Sequence, residues 1–197
     1  MSRPHPIRLD DSVLVLIDYQ QRLLPAIHRG DEVVAEAVRL ADVARTLGVT
    51  VIGTEQNPAG LGPPAEAVRR RCHRSLSKMH FDACEDGLLD AIASHRPGTA
   101  AAGPLDVVVA GCEAHVCLLQ TSLGLLRAGH RAWVVGPACG SRRAADHALA
   151  MQRLERSGAT VVSPEMVAFE WLHHCRHARF KDVLALLKAP PRLLDGP

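Results

Sequence analysis

Aromatic side chains are scarce in this sequence: three Phe, two Trp and one Tyr among 197 residues. Its core must therefore be built mainly from Val, Leu, Ile and Ala. Lysine is scarcer than its share of the charge suggests. Of the 23 basic residues 20 are arginine, and Lys78 is the one lysine in the first 180 positions. No apolar run approaches the ~18 residues that span a bilayer, so no membrane partner is expected. A formal net charge of +2 makes no field that would gather nucleic acid, and no nucleic-acid partner is expected either. Residues 1–11 carry Pro4, His5, Pro6 and two acids and do not read as a signal peptide. The six cysteines are accordingly expected to be thiols of a cytoplasmic protein rather than a disulfide framework.

What is present is a regular alternation of short apolar runs with helical periodicity. Strands are expected at 13–17, 50–54, 106–110, 131–135 and 160–163. Helices are expected over 32–47, with Asp31 as N-cap and Gly48 as stop, and over 87–95, 115–128, 144–157, 165–175 and 179–188. Residues 57–64 and 96–104 read as loops and 66–71 as a helical turn. No pair of strands carries a hairpin signal. The fold class is therefore α/β, a three-layer αβα arrangement around a doubly wound, mostly parallel sheet. The chain has the length of one domain, 1–197, with its core over about 12–188 and a fraying tail at 189–197.

Open parallel sheets bind ligands at the carboxyl ends of their strands, which gives a test for each candidate residue. Asp18 directly follows the run Val13-Leu14-Val15-Leu16-Ile17; it is either a functional carboxylate or a loop-capping one. Cys117 follows the strand at 106–110 by a tight turn and falls in the first turn of the next helix. Unpaired amides and the helix dipole there favour a thiolate, although a free cysteine can equally be a small buried hydrophobe. Lys78 is either a surface residue or a functional cation whose proton can be lost, which arginine does not allow. Cys72, Cys84, Cys112, Cys139 and Cys175 lack the combination of strand end and helix start and are expected to be structural or incidental. His173 and His177 have i, i+4 spacing but no acidic partner between them, which suits a surface or interface helix better than a metal site.

Leu16-Ile17-Asp18-Tyr19-Gln20, Ser77-Lys78 and Gly111-Cys112-Glu113-Ala114-His115-Val116-Cys117 occur in that order. Together they resemble the isochorismatase-like cysteine hydrolase superfamily. Thr54-Glu55-Gln56-Asn57-Pro58, Ala138-Cys139-Gly140-Ser141-Arg142 and Arg179-Phe180-Lys181 resemble the branch of isochorismatase domain-containing proteins.

The resemblance implies a catalytic triad of Asp18, Lys78 and Cys117. Asp18 would take the thiol proton and return it to the leaving group. Lys78 would lower the pKa of the thiol. Cys117 would attack the carbonyl of a small amide, ester or related substrate and form a thioester. The resemblance further implies a cis peptide at Cys112–Glu113 and an oxyanion hole from the backbone N–H groups of Glu113 and Cys117. Tyr19, Gln56 and His115 are candidate pocket-lining residues. Metal-binding relatives carry Asp-x-His where this chain has Thr54–Pro58 without either, so no metal and no cofactor are expected. Isochorismatase-type vinyl ether hydrolysis and a non-catalytic binding or scaffold role are the alternatives. A homo-oligomer, dimer or tetramer, is expected by resemblance.

Overall fold

The run from Val13 to Ile17 is apolar at every position, so a strand made from it must be covered on both faces. In the computed structural model, which describes residues 5–94 and 103–189, that strand is β1 (Ser12–Ile17). Around it lie β2 (Thr50–Gln56), β3 (Arg74–Lys78), β4 (Asp106–Gly111), β5 (Arg131–Val135) and β6 (Thr160–Val162), in the spatial order β3-β2-β1-β4-β5-β6. All five neighbouring pairs are parallel. This is the expected α/β sheet, and its order reverses between β1 and β4.

Alternate residues of β1 feed two separate cores. Leu14 and Leu16 pack with α1 (Gly30–Thr46), α7 (Pro164–Leu172) and α8 (Phe180–Lys188). Val13, Val15 and Ile17 pack with α4 (Leu88–Ala93), α5 (Leu119–Arg127) and α6 (Ala144–Arg156). Two single-turn helices, α2 (Pro58–Leu61) and α3 (Glu66–Arg69), follow β2. No helix among the described residues is long and apolar enough to cross a membrane.

Several local expectations are corrected. Asp31 is not the N-cap of α1: the helix already begins at Gly30, after Arg29 in the left-handed region (φ 54°), and no side chain caps it. Asp31 lies in the first turn, where its carboxylate still complements the helix dipole. β3 adds to the expected strands, because Arg74-Ser75-Leu76-Ser77-Lys78 holds one large apolar residue and forms a largely exposed edge strand. The loop after β2 contains α2. α7 ends at Leu172, where His173 adopts φ 60°. His173 and His177 are therefore not on one helix, and their i, i+4 spacing carries no meaning. The expected loop at 96–104 falls largely outside the described residues, as does the tail beyond 189.

β4 opens on a buried charge. The Asp106 carboxylate accepts from Arg131 Nε (2.6 Å), Trp133 Nε1 (2.8 Å) and the Arg8 backbone N–H (3.0 Å). Burial pushes its pKa up, but these donors outweigh that penalty and hold it below the ordinary value. A pKa lower in the folded than in the unfolded chain stabilises above about pH 4, and the gain is lost as pH falls through the folded value. Asp106→Asn is expected to cost about 1–3 kcal/mol at neutral pH and to flatten the acid limb of the stability curve. Urea unfolding of both proteins across the acid range checks this.

Candidate active site

The strand register assembles the candidate site. Ile17 pairs with Thr54 on one side and Gly111 on the other, and Gln56 pairs with Lys78. Asp18 is the residue that follows β1, and Lys78 ends β3. Cys117 lies in a π-turn, Ala114–Leu118, that follows β4 and leads into α5. The regular helix expected from 115 starts at Leu119; the wider turn precedes it. Three elements distant in sequence thus end at one edge of the sheet, beside the point where its order reverses.

Their side chains are withdrawn from water. Lys78 and Asp18 have side chains 1% and 0% exposed, with Nζ 2.8 Å from Oδ2. Asp18 Oδ1 accepts from the Thr54 hydroxyl at 2.7 Å. Oδ2 receives no aligned hydrogen bond, so beyond its ion pair it retains a lone pair able to take a proton. Cys117 is also buried, within reach of both groups. Burial first, and then the Asp18 charge, push its thiol up to about 12, while Lys78 pulls less strongly the other way. This corrects the expectation of a lowered thiol pKa: desolvation and the neighbouring carboxylate outweigh the cation.

The Cys112–Glu113 peptide bond is cis. In the turn that follows, the amides of Ala114, Val116 and Leu118 donate to the carbonyls of Gly140, Glu113 and Glu113. The Glu113 carboxylate pairs with Arg142 Nε at 2.7 Å. Gly111 allows β1 and β4 to close here, because a side chain at this position would overlap the Ile17 carbonyl oxygen.

The other candidates divide. Gln56 reaches two of the three: its Oε1 is 2.6 Å from Lys78 Nζ and 3.7 Å from Cys117 Sγ. His115 is half-buried, with Nδ1 3.0 Å from the Ser141 hydroxyl. Tyr19 is buried in the core under α1, and its hydroxyl donates to the Ala138 carbonyl. Sequence reasoning missed Thr54 and Gln20. Thr54 and Gln56 are two residues apart in a buried strand, and that pairing of polar residues at strand period was the available signal. Among the described residues no group of three His, Cys, Asp or Glu side chains is placed to hold a metal ion.

The sequence pattern of the isochorismatase domain matches residues 12–166. The chain belongs to the isochorismatase family. Isochorismatase domain-containing protein 2 of human is 34% identical over 179 residues, covering 91% of this chain and 84% of the relative. Protein 2A of mouse is 32% identical over 181 residues, covering 92% and 84%. A solved structure described as MAR1 ribonuclease from Caenorhabditis elegans superposes with a TM-score of 0.85 at 29% identity, covering 98% of this chain and 99% of that one. YcaC from Escherichia coli, described as an octameric hydrolase of unknown specificity, shares the fold with a TM-score of 0.82 at 20% identity, covering 94% and 91%.

Within this isochorismatase-family chain, Gly111→Ala is expected to cost about 1–3 kcal/mol, as overpacked sites do. Chemical denaturation measures the loss. An Ala variant as stable as the parent would show that the β1–β4 junction tolerates a side chain.

Proposed function

We propose that this isochorismatase-family protein is a cysteine hydrolase acting on a small amide, ester or related carbonyl compound. The observation that carries the reading is a buried thiol beside a buried carboxylate whose Oδ2, engaged by the Lys78 ion pair alone, keeps a lone pair free for a proton. A thiol pushed up to about 12 is not a preformed thiolate at neutral pH. It becomes a nucleophile when its proton moves to Asp18 as the sulfur attacks.

In the forward half-reaction the S–H proton passes to Asp18 Oδ2 and the Cys117 sulfur bonds to the substrate carbonyl carbon. The backbone N–H groups of Glu113 and Cys117 receive the developing oxyanion. Asp18 then returns its proton to the leaving amine or alcohol as that bond breaks, which produces a thioester. Water attacks the thioester with Asp18 taking its proton. The carbon–sulfur bond breaks, the acid is released, and the Cys117 sulfur recovers the proton from Asp18. Lys78 keeps Asp18 in place and balances charge when the thiolate forms. No cofactor enters this scheme.

Asp18 could also protonate a vinyl ether, as isochorismate hydrolysis requires, and that chemistry has no need of Cys117. Substitution at 117 separates the two. The exposed apolar side chains Met79 (66% exposed) and Phe81 (50% exposed) flank the loop after Lys78 and support assembly as a homo-oligomer, which sedimentation velocity tests.

With a panel of small amides and esters, Cys117→Ala is expected to reduce kcat/KM on the order of 10³-fold or more. Asp18→Asn should lose roughly 10²–10⁴-fold. Intact mass spectrometry of quenched turnover should show an acyl adduct on Cys117. Wild-type turnover by Cys117→Ala, or an adduct elsewhere, overturns the thioester mechanism.

A further inference from the structure

Gln56 touches two members of the triad at once. Its side-chain amide is held without ambiguity of orientation. The Met79 carbonyl can only accept, so the amide nitrogen must face it, and it does so at 2.8 Å. The Lys78 ammonium can only donate, so the amide oxygen must face it, at 2.6 Å. The two constraints agree and leave Oε1 aimed into the site. That oxygen has two lone pairs. One takes the Lys78 N–H; the other faces the Cys117 S–H at 3.7 Å.

The backbone beneath it is clamped as firmly. Gln20, itself fully buried, donates from Nε2 to the Gln56 carbonyl (3.0 Å) and the Gly62 carbonyl (2.7 Å), and its Oε1 accepts from the Gln56 N–H (2.8 Å). A buried glutamine whose backbone and amide nitrogen are both pinned cannot swing its oxygen away from the site. Lys78 is restrained in turn: it also meets Asp18 Oδ2 at 2.8 Å and the His80 carbonyl at 3.4 Å, and it already lies within hydrogen-bonding reach of the Cys117 sulfur. It cannot reach further toward the sulfur without giving up one of these partners.

We infer that Gln56 is a positioning residue that keeps the nucleophile at rest: its Oε1 competes with the nearby Asp18 carboxylate for the hydrogen bond from the Cys117 thiol and holds Lys78 back against Asp18. The neutral acceptor favours S–H over S⁻ until a substrate carbonyl arrives, when the proton is handed to Asp18 instead. Gln56 thus does more than line a pocket. The inference rests on the triad reading of Asp18, Lys78 and Cys117.

The test is the rate of Cys117 alkylation by iodoacetamide at a fixed mildly alkaline pH, resolved from the other five cysteines by peptide mass spectrometry. Well below the thiol's midpoint this rate follows the thiolate fraction, so it changes about tenfold when the midpoint moves by one on the pH scale. Gln56→Glu keeps the shape and adds a like charge beside the sulfur, and should slow alkylation roughly tenfold. Gln56→Met removes the acceptor and frees Lys78 to lean toward the sulfur, and should speed it by about three- to tenfold. A merely structural role would not separate the two variants in opposite directions, since a loosened site accelerates both. Equal rates, or shifts of the same sign, overturn the inference.

A second readout does not depend on the folding of the charged variant. The S–H stretching band of Cys117, isolated as the difference between the parent and Cys117→Ser, should move to higher frequency in Gln56→Met as the acceptor is lost. An unmoved band overturns the inference. Lys78→Met distinguishes the two levels of the proposal: it should slow alkylation by about tenfold or more. If it does not, the triad reading itself fails. If it does and the Gln56 variants behave like the parent, only the role of Gln56 fails.

Discussion

The buried ion pair between Lys78 and Asp18 is the constraint on which the rest of this molecule turns. Withdrawing two charges from water costs several kcal/mol per ion, and their attraction repays this only with good geometry and further polar partners. Those partners are present: Thr54 on one carboxylate oxygen, and Gln56 and the His80 carbonyl on the ammonium. They come from stretches of chain distant from Asp18, so the pair is well solvated by protein only when β1, β2 and β3 are in register. A one-residue slip of any of these strands would turn its polar residue to the opposite face of the sheet. Sheet and site are therefore one construction.

The proposed mechanism has a second requirement, a nucleophile beside that pair which does not become a thiolate prematurely. Burial provides this. The sulfur sits before α5 in a turn wider than an α-helix, close to Asp18 and nearly out of solvent. Under the proposed mechanism, reactivity is thereby tied to proton transfer within the site rather than to the pH of the medium. An anionic thiol at rest would be open to oxidation and to any passing electrophile; a hydrogen-bonded neutral one is protected. The lysine in this arrangement pulls the thiol pKa down, but less than burial and the carboxylate push it up.

Much of the fold was legible because apolar runs report burial directly. Val13 to Ile17 and Val107 to Ala110 are buried on both faces, and runs of that kind admit few arrangements besides central parallel strands. β3 was not legible, because an edge strand needs no apolar run and Arg74-Ser75-Leu76-Ser77-Lys78 has none. The histidines at 173–177 misled for a related reason: spacing is informative only where the backbone stays helical, and His173 leaves the helix at φ 60°.

The sequence by itself determined the sheet, the family and the identity of the three candidate catalytic side chains, since each lies at the end of a recognisable element or within a recognisable motif. Only the tertiary structure decided how those side chains act on one another. The direction of the thiol's pKa depends on how much water remains around the sulfur. The place of Gln56 at the centre of the site, and not among incidental lining residues, depends on which way one amide faces. Neither quantity belongs to any residue alone. Both arise from atoms that come from distant stretches of chain and meet only when the sheet has closed.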